Sequence, residues 1–230
     1  MCKRKIFFLI IFLIIIPVLA FSETDIEKAK KLYYQAWNTN DQETKISLRR
    51  EIIQIAPESE YGYACKAYFA SMENDLQGAI NHFTKAISIN RNFGEAYLGR
   101  GYAYSALHQN KNAIEDFTKS IELNSSIFFA YSARGVCLAR IKKYDEAIKD
   151  LTKAIEINAN DFDVFRNRGL TYFFIKKYEL AIKDLNKSID LNPNFFVTYF
   201  NRGMVYGQLN NHQLTIEDFT NSLILKPDNM

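Results

Sequence analysis

Arg100, Arg134, Arg168 and Arg202 recur every 34 residues, and each is followed sixteen residues later by an aspartate: Asp116, Asp150, Asp184 and Asp218. A planar guanidinium and a carboxylate can join through two parallel hydrogen bonds, so the pairing has a direct chemical meaning. It could brace two chain segments, or the arginines could form a cationic ladder for an acidic ligand. Each arginine already has a carboxylate of its own, so a brace between facing helices is expected. Such a bridge contributes about 0.2–1 kcal/mol if it is exposed. The two places change together elsewhere in the chain, to Lys66 with His82 and to Leu32 with Leu48.

The other reactive residue types form no constellation. His82, His108 and His212 stand apart, without a second histidine or a cysteine at ligand spacing, so no metal site is expected. Gly99-Arg-Gly101 lacks the preceding strand and the further glycine of a dinucleotide loop. No Gly-x-Ser-x-Gly nucleophile motif and no phosphate loop occur. The sequence therefore predicts a chain with no catalytic residues and no cofactor.

The elements that carry the ladder repeat at the same interval. Ile46, Ile80, Ile114, Ile148, Ile182 and Ile216 are 34 residues apart, and windows 26–59, 60–93, 94–127, 128–161, 162–195 and 196–229 follow without insertion or deletion. A fixed period of this size implies a stack of small units, each packing only on its neighbours. Within a unit the apolar residues fall at helical spacing. Tyr131, Leu138 and Ile141 mark one helix; Ala147, Ile148, Leu151, Ile155 and Ile157 mark a second. The polar link Lys142-Lys143-Tyr144-Asp145 is long enough only for an antiparallel turn. Asn90, Asn124, Asn158 and Asn192 close the second helices, where a left-handed terminal residue is expected. Pro57, Pro193 and Pro227 then forbid continuation.

Gly101, Gly135, Gly169 and Gly203 lie within first helices, at a cost of about 1 kcal/mol each relative to alanine. A cost repeated so regularly, with Ala79, Ala113, Ala147 and Ala181 on the facing helices, implies close approach of two helices. Phe165-x2-Arg168-Gly169-x2-Tyr172, then Ala181-x3-Leu185 and Pro193, resembles the tetratricopeptide repeat signature. Tyr97, Gly101, Tyr104, Ala113 and Phe117 give a second close match. Two departures stand out: arginine replaces the leucine usual before the glycine, and window 26–59 is degenerate, with Tyr33 and Lys45 at the glycine and alanine places. The resemblance implies an all-α, right-handed solenoid of about six helix-turn-helix repeats, serving as a scaffold for a protein or peptide partner.

Residues 1–22 differ in kind from the repeats. Lys3-Arg4-Lys5 precedes an apolar run from Ile6 to Ile16 and then Pro17-Val18-Leu19-Ala20, the pattern of a secretory signal peptide. Export to a periplasmic or extracellular location is expected, with residues 6–21 kept as a membrane anchor as the alternative. The formal net charge of +3 reflects 29 basic against 26 acidic residues, and removal of Lys3, Arg4 and Lys5 leaves none. No basic field remains to draw in nucleic acid. Cys65 and Cys137 sit two units apart. Helix spacings of about 10 Å put them beyond the reach of a disulfide.

The resemblance also implies that first helices form the inner, concave wall. Its outward positions include Tyr68, Tyr102, Phe129, Arg166, Leu170, Phe173, Phe200 and Met204, an aromatic and aliphatic set with few charges, and these are the candidate partner-binding residues. Phe173, Phe200 and Met204 are expected to meet across neighbouring units. At the far end, Ile216, Leu223 and Ile224 are expected to leave an apolar face available for self-association.

Overall fold

In a computed structural model, which describes residues 22–124 and 127–226, the repeating pattern becomes six helical hairpins. The helices are α1 (Glu23–Asn38), α2 (Gln42–Ile55), α3 (Glu60–Met72), α4 (Leu76–Ile89), α5 (Gly94–Ala106) and α6 (Asn110–Glu122). They continue with α7 (Ile127–Arg140), α8 (Tyr144–Ile157), α9 (Phe162–Phe174), α10 (Tyr178–Leu191), α11 (Phe196–Gln208) and α12 (His212–Leu225). Several start where a side chain accepts the first free N–H groups. Ser22 makes a capping box with Asp25, and Asp41, Ser59, Asp75 and Asp161 cap α2, α3, α4 and α9. The basic and apolar segment expected as a signal peptide, and Pro227, lie outside the described residues.

Each odd-numbered helix packs on the even one that follows, and each even one on the next odd one, so the hairpins form a single file. First helices also approach the first helices of neighbouring units, from α1 with α3 to α9 with α11, whereas among the described residues no two second helices come as close. The first helices therefore form the crowded inner wall and the second helices fan out behind them. This is an all-α solenoid.

The hairpins close around one contact. A Cβ placed on Gly101 would lie 2.7 Å from the ring of Phe117; on Gly135 it would lie 2.8 Å from Leu151, and on Gly203 2.7 Å from Phe219. The residue that occupies the glycine's vacant space is thus sixteen positions on, rather than the alanine expected. Ala113, Ala147 and Ala181 are fully buried beside it, and Ala147 and Ala181 bring backbone carbonyls to within 3.3 and 3.2 Å of the same point.

The expected brace is present in all four units. Nε and Nη2 of each arginine donate to the two carboxylate oxygens of its aspartate at 2.7–2.9 Å. The pairs are not exposed: the arginine side chains are 16–20% accessible and the aspartates 2–9%. Each also has a third member that sequence reasoning did not anticipate. Nη1 donates to Thr84, Thr118 and Thr152 on the second helix of the preceding unit, and in the last case to Asn186. Each arginine therefore joins two second helices through a first helix. Aromatic rings flank the guanidiniums at 5.5–5.9 Å, for example Tyr97 and Tyr104 around Arg100, and Tyr199 and Tyr206 around Arg202. In the second unit, Lys66 lies over Tyr63 and His82 packs near the same ring.

One turn expectation is corrected. Of the asparagines after second helices, Asn124 is left-handed, with φ 56°, whereas Asn90 and Asn158 are extended and Asn192 has φ −145° and ψ 88°. Those three act through their side chains, accepting the N–H of Asn92, Asn160 and Asn194. The left-handed residues recur instead inside the hairpins, at Asn74, His108, Lys142, Lys176 and Asn210, with φ 56–64°. There the next residue's N–H reaches back to a carbonyl five residues earlier, as from Lys143 to Leu138 at 2.9 Å. That bond is the tight helix ending that a short antiparallel link requires.

Because Asp150 is buried, Arg134→Met should lower stability by about 2–4 kcal/mol, more than an exposed ion pair could account for. The double change Arg134→Met/Asp150→Leu should recover most of the loss. Urea unfolding followed by helical circular dichroism measures both. A single-variant loss below about 1 kcal/mol would show that the ladder is ornamental.

Candidate partner-binding groove

The inner wall encloses three successive cavities that share lining residues. The first, of about 220 Å³, lies between Tyr33, Trp37, Arg49, Tyr68, Glu95 and Tyr102, among others. Tyr102 passes into the second, of about 330 Å³, with Phe129, Ser132, Val136, Arg140, Asp161 and Asp163. Val136 and Arg140 belong also to the third, of about 550 Å³, with Lys142, Tyr144, Arg166, Leu170 and Phe174. Common walls make the three one groove running across the first helices of the first five units.

Five of the expected binding residues lie on it: Tyr68, Tyr102, Phe129, Arg166 and Leu170. Tyr102 and Phe129 are nearly half exposed, each supported by a ring behind it, Phe117 at 5.3 Å and Phe128 at 5.1 Å. Arg166 lines the third cavity, but its Nε and Nη2 are both bound to Asp163 Oδ1, at 2.9 and 2.8 Å. Its charge is therefore partly spent within its own helix.

The other three do not form the patch expected of them. Phe173 turns into the hairpin, 6.1 Å from Tyr178, and packs against Ala181, Leu185 and Val205. Phe200 lies over Phe219 at 5.4 Å, and Met204 is half-buried; neither lines the groove. A step of one residue rotates a helical side chain by about 100°, so Phe174 takes the place assigned to Phe173. Phe174 is 54% exposed and stacks with Tyr144 at 5.9 Å.

The groove also carries more charge than expected. Arg140 reaches across from α7 to Ser105 on α5, with Nη1 at 2.9 Å from the hydroxyl and 3.3 Å from the carbonyl. Acidic Asp161 and Asp163 stand in the second cavity, and basic Arg140, Lys142 and Arg166 in the third. Sequence reading missed Arg140 because it sits in the last turn of its helix, and Trp37 because its unit is degenerate.

The two cysteines of the described residues are free and buried. Burial pushes the Cys65 thiol up to about 12 and raises that of Cys137 as well, so neither offers a thiolate at neutral pH.

The profile of the tetratricopeptide repeat matches residues 94–127, 128–161, 162–195 and 197–229, together more than half of the chain. No curated protein sequence matches significantly. Among solved structures, the chain is similar to YrrB, with 21% identity, a TM-score of 0.64 and coverage of 79% of this chain and 94% of that one. It is also similar to MamA, with 25% identity, a TM-score of 0.64 and coverage of 70% and 94%. MamA from Desulfovibrio magneticus RS-1 gives 21% identity, a TM-score of 0.68 and coverage of 74% and 96%. A fixed 34-residue period, six helical hairpins in single file and four successive profile matches lead to one conclusion: this chain belongs to the tetratricopeptide repeat family.

Proposed function

We propose that this protein is an exported, non-catalytic scaffold that holds an extended segment of a partner protein along its inner groove. The observation that carries this reading is the continuity of three cavities through shared walls at Tyr102, Val136 and Arg140. Aromatic side chains such as Tyr102, Phe129 and Phe174 offer large contact areas with few rotatable bonds, which keeps the entropic cost of binding low. Asp161 and Asp163 in the second cavity, Arg140 on the wall shared with the third, and Lys142 and Arg166 in the third form an order of charges that would set the direction of a bound chain. YrrB, described as a TPR protein with an unusual peptide-binding site, is a precedent for peptide binding on this fold.

Extended peptides selected from a random library by the wild-type protein should lose affinity at least tenfold with Tyr102→Ala/Leu170→Ala, without loss of helicity. Unchanged affinity would remove the groove from the proposal.

Export rests on Lys3-Arg4-Lys5 and the apolar run that follows. Among the described residues no helix is long and apolar enough to cross a membrane. The mature protein recovered from its native cell should begin at Phe21 or Glu23. A retained Lys3–Ile16 stretch, read by N-terminal sequencing, would support a membrane-anchored assembly factor instead.

Self-association through α12 is part of the same proposal. Ile216, Leu223 and Ile224 are 66%, 56% and 70% exposed on that helix. Sedimentation should show a concentration-dependent dimer that Ile216→Glu/Ile224→Glu abolishes. A monomer at every concentration removes it.

A further inference from the structure

Arg49 is the chain's exception to its own repeat. Its place, sixteen positions after Tyr33 on the second helix of the first unit, is held by Phe83, Phe117, Leu151, Leu185 and Phe219 in the other five. Three of those side chains fill the space that a mid-helix glycine leaves at Gly101, Gly135 and Gly203, and Leu185 does so at Gly169. In the first unit the glycine is replaced by Tyr33, whose buried ring packs on Tyr61 and Phe93 at 5.5 and 5.3 Å. Arg49 does not end in the hairpin core. It lines the first cavity of the inner wall.

A charge in that position should have a partner. Arg49 is only 8% exposed, and its guanidinium lies over the Tyr68 ring, with Cζ 3.8 Å from the centroid. Stacking covers the face of the group and leaves its edge donors to be satisfied. Among the described residues its one hydrogen bond is from Nη1 to the carbonyl of Lys45, at a long 3.4 Å. The four arginines of the ladder each hold a carboxylate through two bonds below 3 Å; among the described residues Arg49 holds none within 4 Å. Glu95 lines the same cavity without forming an ion pair with it. Trp37 and Tyr102, 37% and 45% exposed, stand at the mouth.

We infer that this cavity is a specificity pocket for an acidic side chain, an aspartate or glutamate of the docked peptide, received edge-on by the Arg49 guanidinium. The inference rests on the groove reading above and adds to it the chemistry of one subsite. At about 220 Å³ the cavity has room for one side chain rather than a whole ligand. An incoming carboxylate would supply two charge-assisted hydrogen bonds to a side chain that is only 8% exposed and lies against the Tyr68 ring. Glu95 acts as a resident competitor that raises the threshold for acidic ligands and rejects none of the apolar contacts elsewhere in the groove.

The test is a positional-scanning library of extended dodecapeptides, read against wild type and three variants, with circular dichroism confirming helicity. Wild type should select aspartate or glutamate at one position, by about tenfold or more over asparagine or glutamine. Arg49→Met, which keeps the apolar stem, should abolish that preference while leaving selection at other positions intact. Arg49→Lys should retain part of it, and Glu95→Gln should strengthen it. Peptides that bind in a Tyr102- and Leu170-dependent manner with no acidic preference would overturn the pocket and leave the groove standing. Absence of any peptide bound by wild type would overturn the groove and the pocket together.

Discussion

Everything in this molecule depends on how closely the two helices of a hairpin approach. At Gly101, Gly135 and Gly203 there is no room for even one more carbon, because the ring or branch sixteen residues later already occupies the space. That contact sets the depth and register of each hairpin, and register is what places Arg100 opposite Asp116 and its counterparts likewise. A larger residue would push the helices apart and would also break the bridge beside it. Close packing and ion pairing are therefore a single geometric event, repeated along the chain.

The ladder does more than brace each hairpin. An aspartate and a threonine two residues apart on one second helix serve different arginines: Asp116 holds Arg100 of its own unit, and Thr118 holds Arg134 of the next. Stability in a single-file stack comes from each unit and its contacts with its neighbours. A group that bonds both at once couples adjacent units where a purely apolar seam would let them slide. Burying the aspartates costs desolvation, and the two bonds from each arginine offset it. Burial still pushes the Asp116 carboxyl up from its ordinary value, with the bonds from Arg100 opposing it.

The same crowding explains the groove. First helices approach one another along the inner wall and, among the described residues, second helices do not come as close, so side chains on the wall either seal a seam or stand over a gap. Phe173 seals and Phe174 stands clear, although both are phenylalanines on the same turn. A helical repeat read as sequence shows which residues face away from their own hairpin. It does not show which of these the neighbouring unit then covers, because that depends on the rotation from one unit to the next. Hence Tyr68, Tyr102, Phe129, Arg166 and Leu170 could be placed on the wall from the family resemblance combined with the spacing, while Phe173, Phe200 and Met204 could not be sorted from Phe174 and Trp37. The asparagine turns show the same division. The positions of the links are legible, but both Asn158 and Lys142 are polar residues after a helix, and in that unit the left-handed backbone falls on Lys142, where the hairpin link closes with the bond from Lys143 to Leu138.

By itself, then, the amino-acid order determined the helices, their number and pairing, and the partners of the four ladder arginines, since these follow from short-range periodicity and from spacings that a rigid hairpin preserves. The tertiary structure alone decided the third partner of each arginine, the charged character of the groove and the setting of Arg49 against Tyr68. Those depend on contacts between residues of successive units, where small angular offsets accumulate and no local pattern in the chain encodes the result.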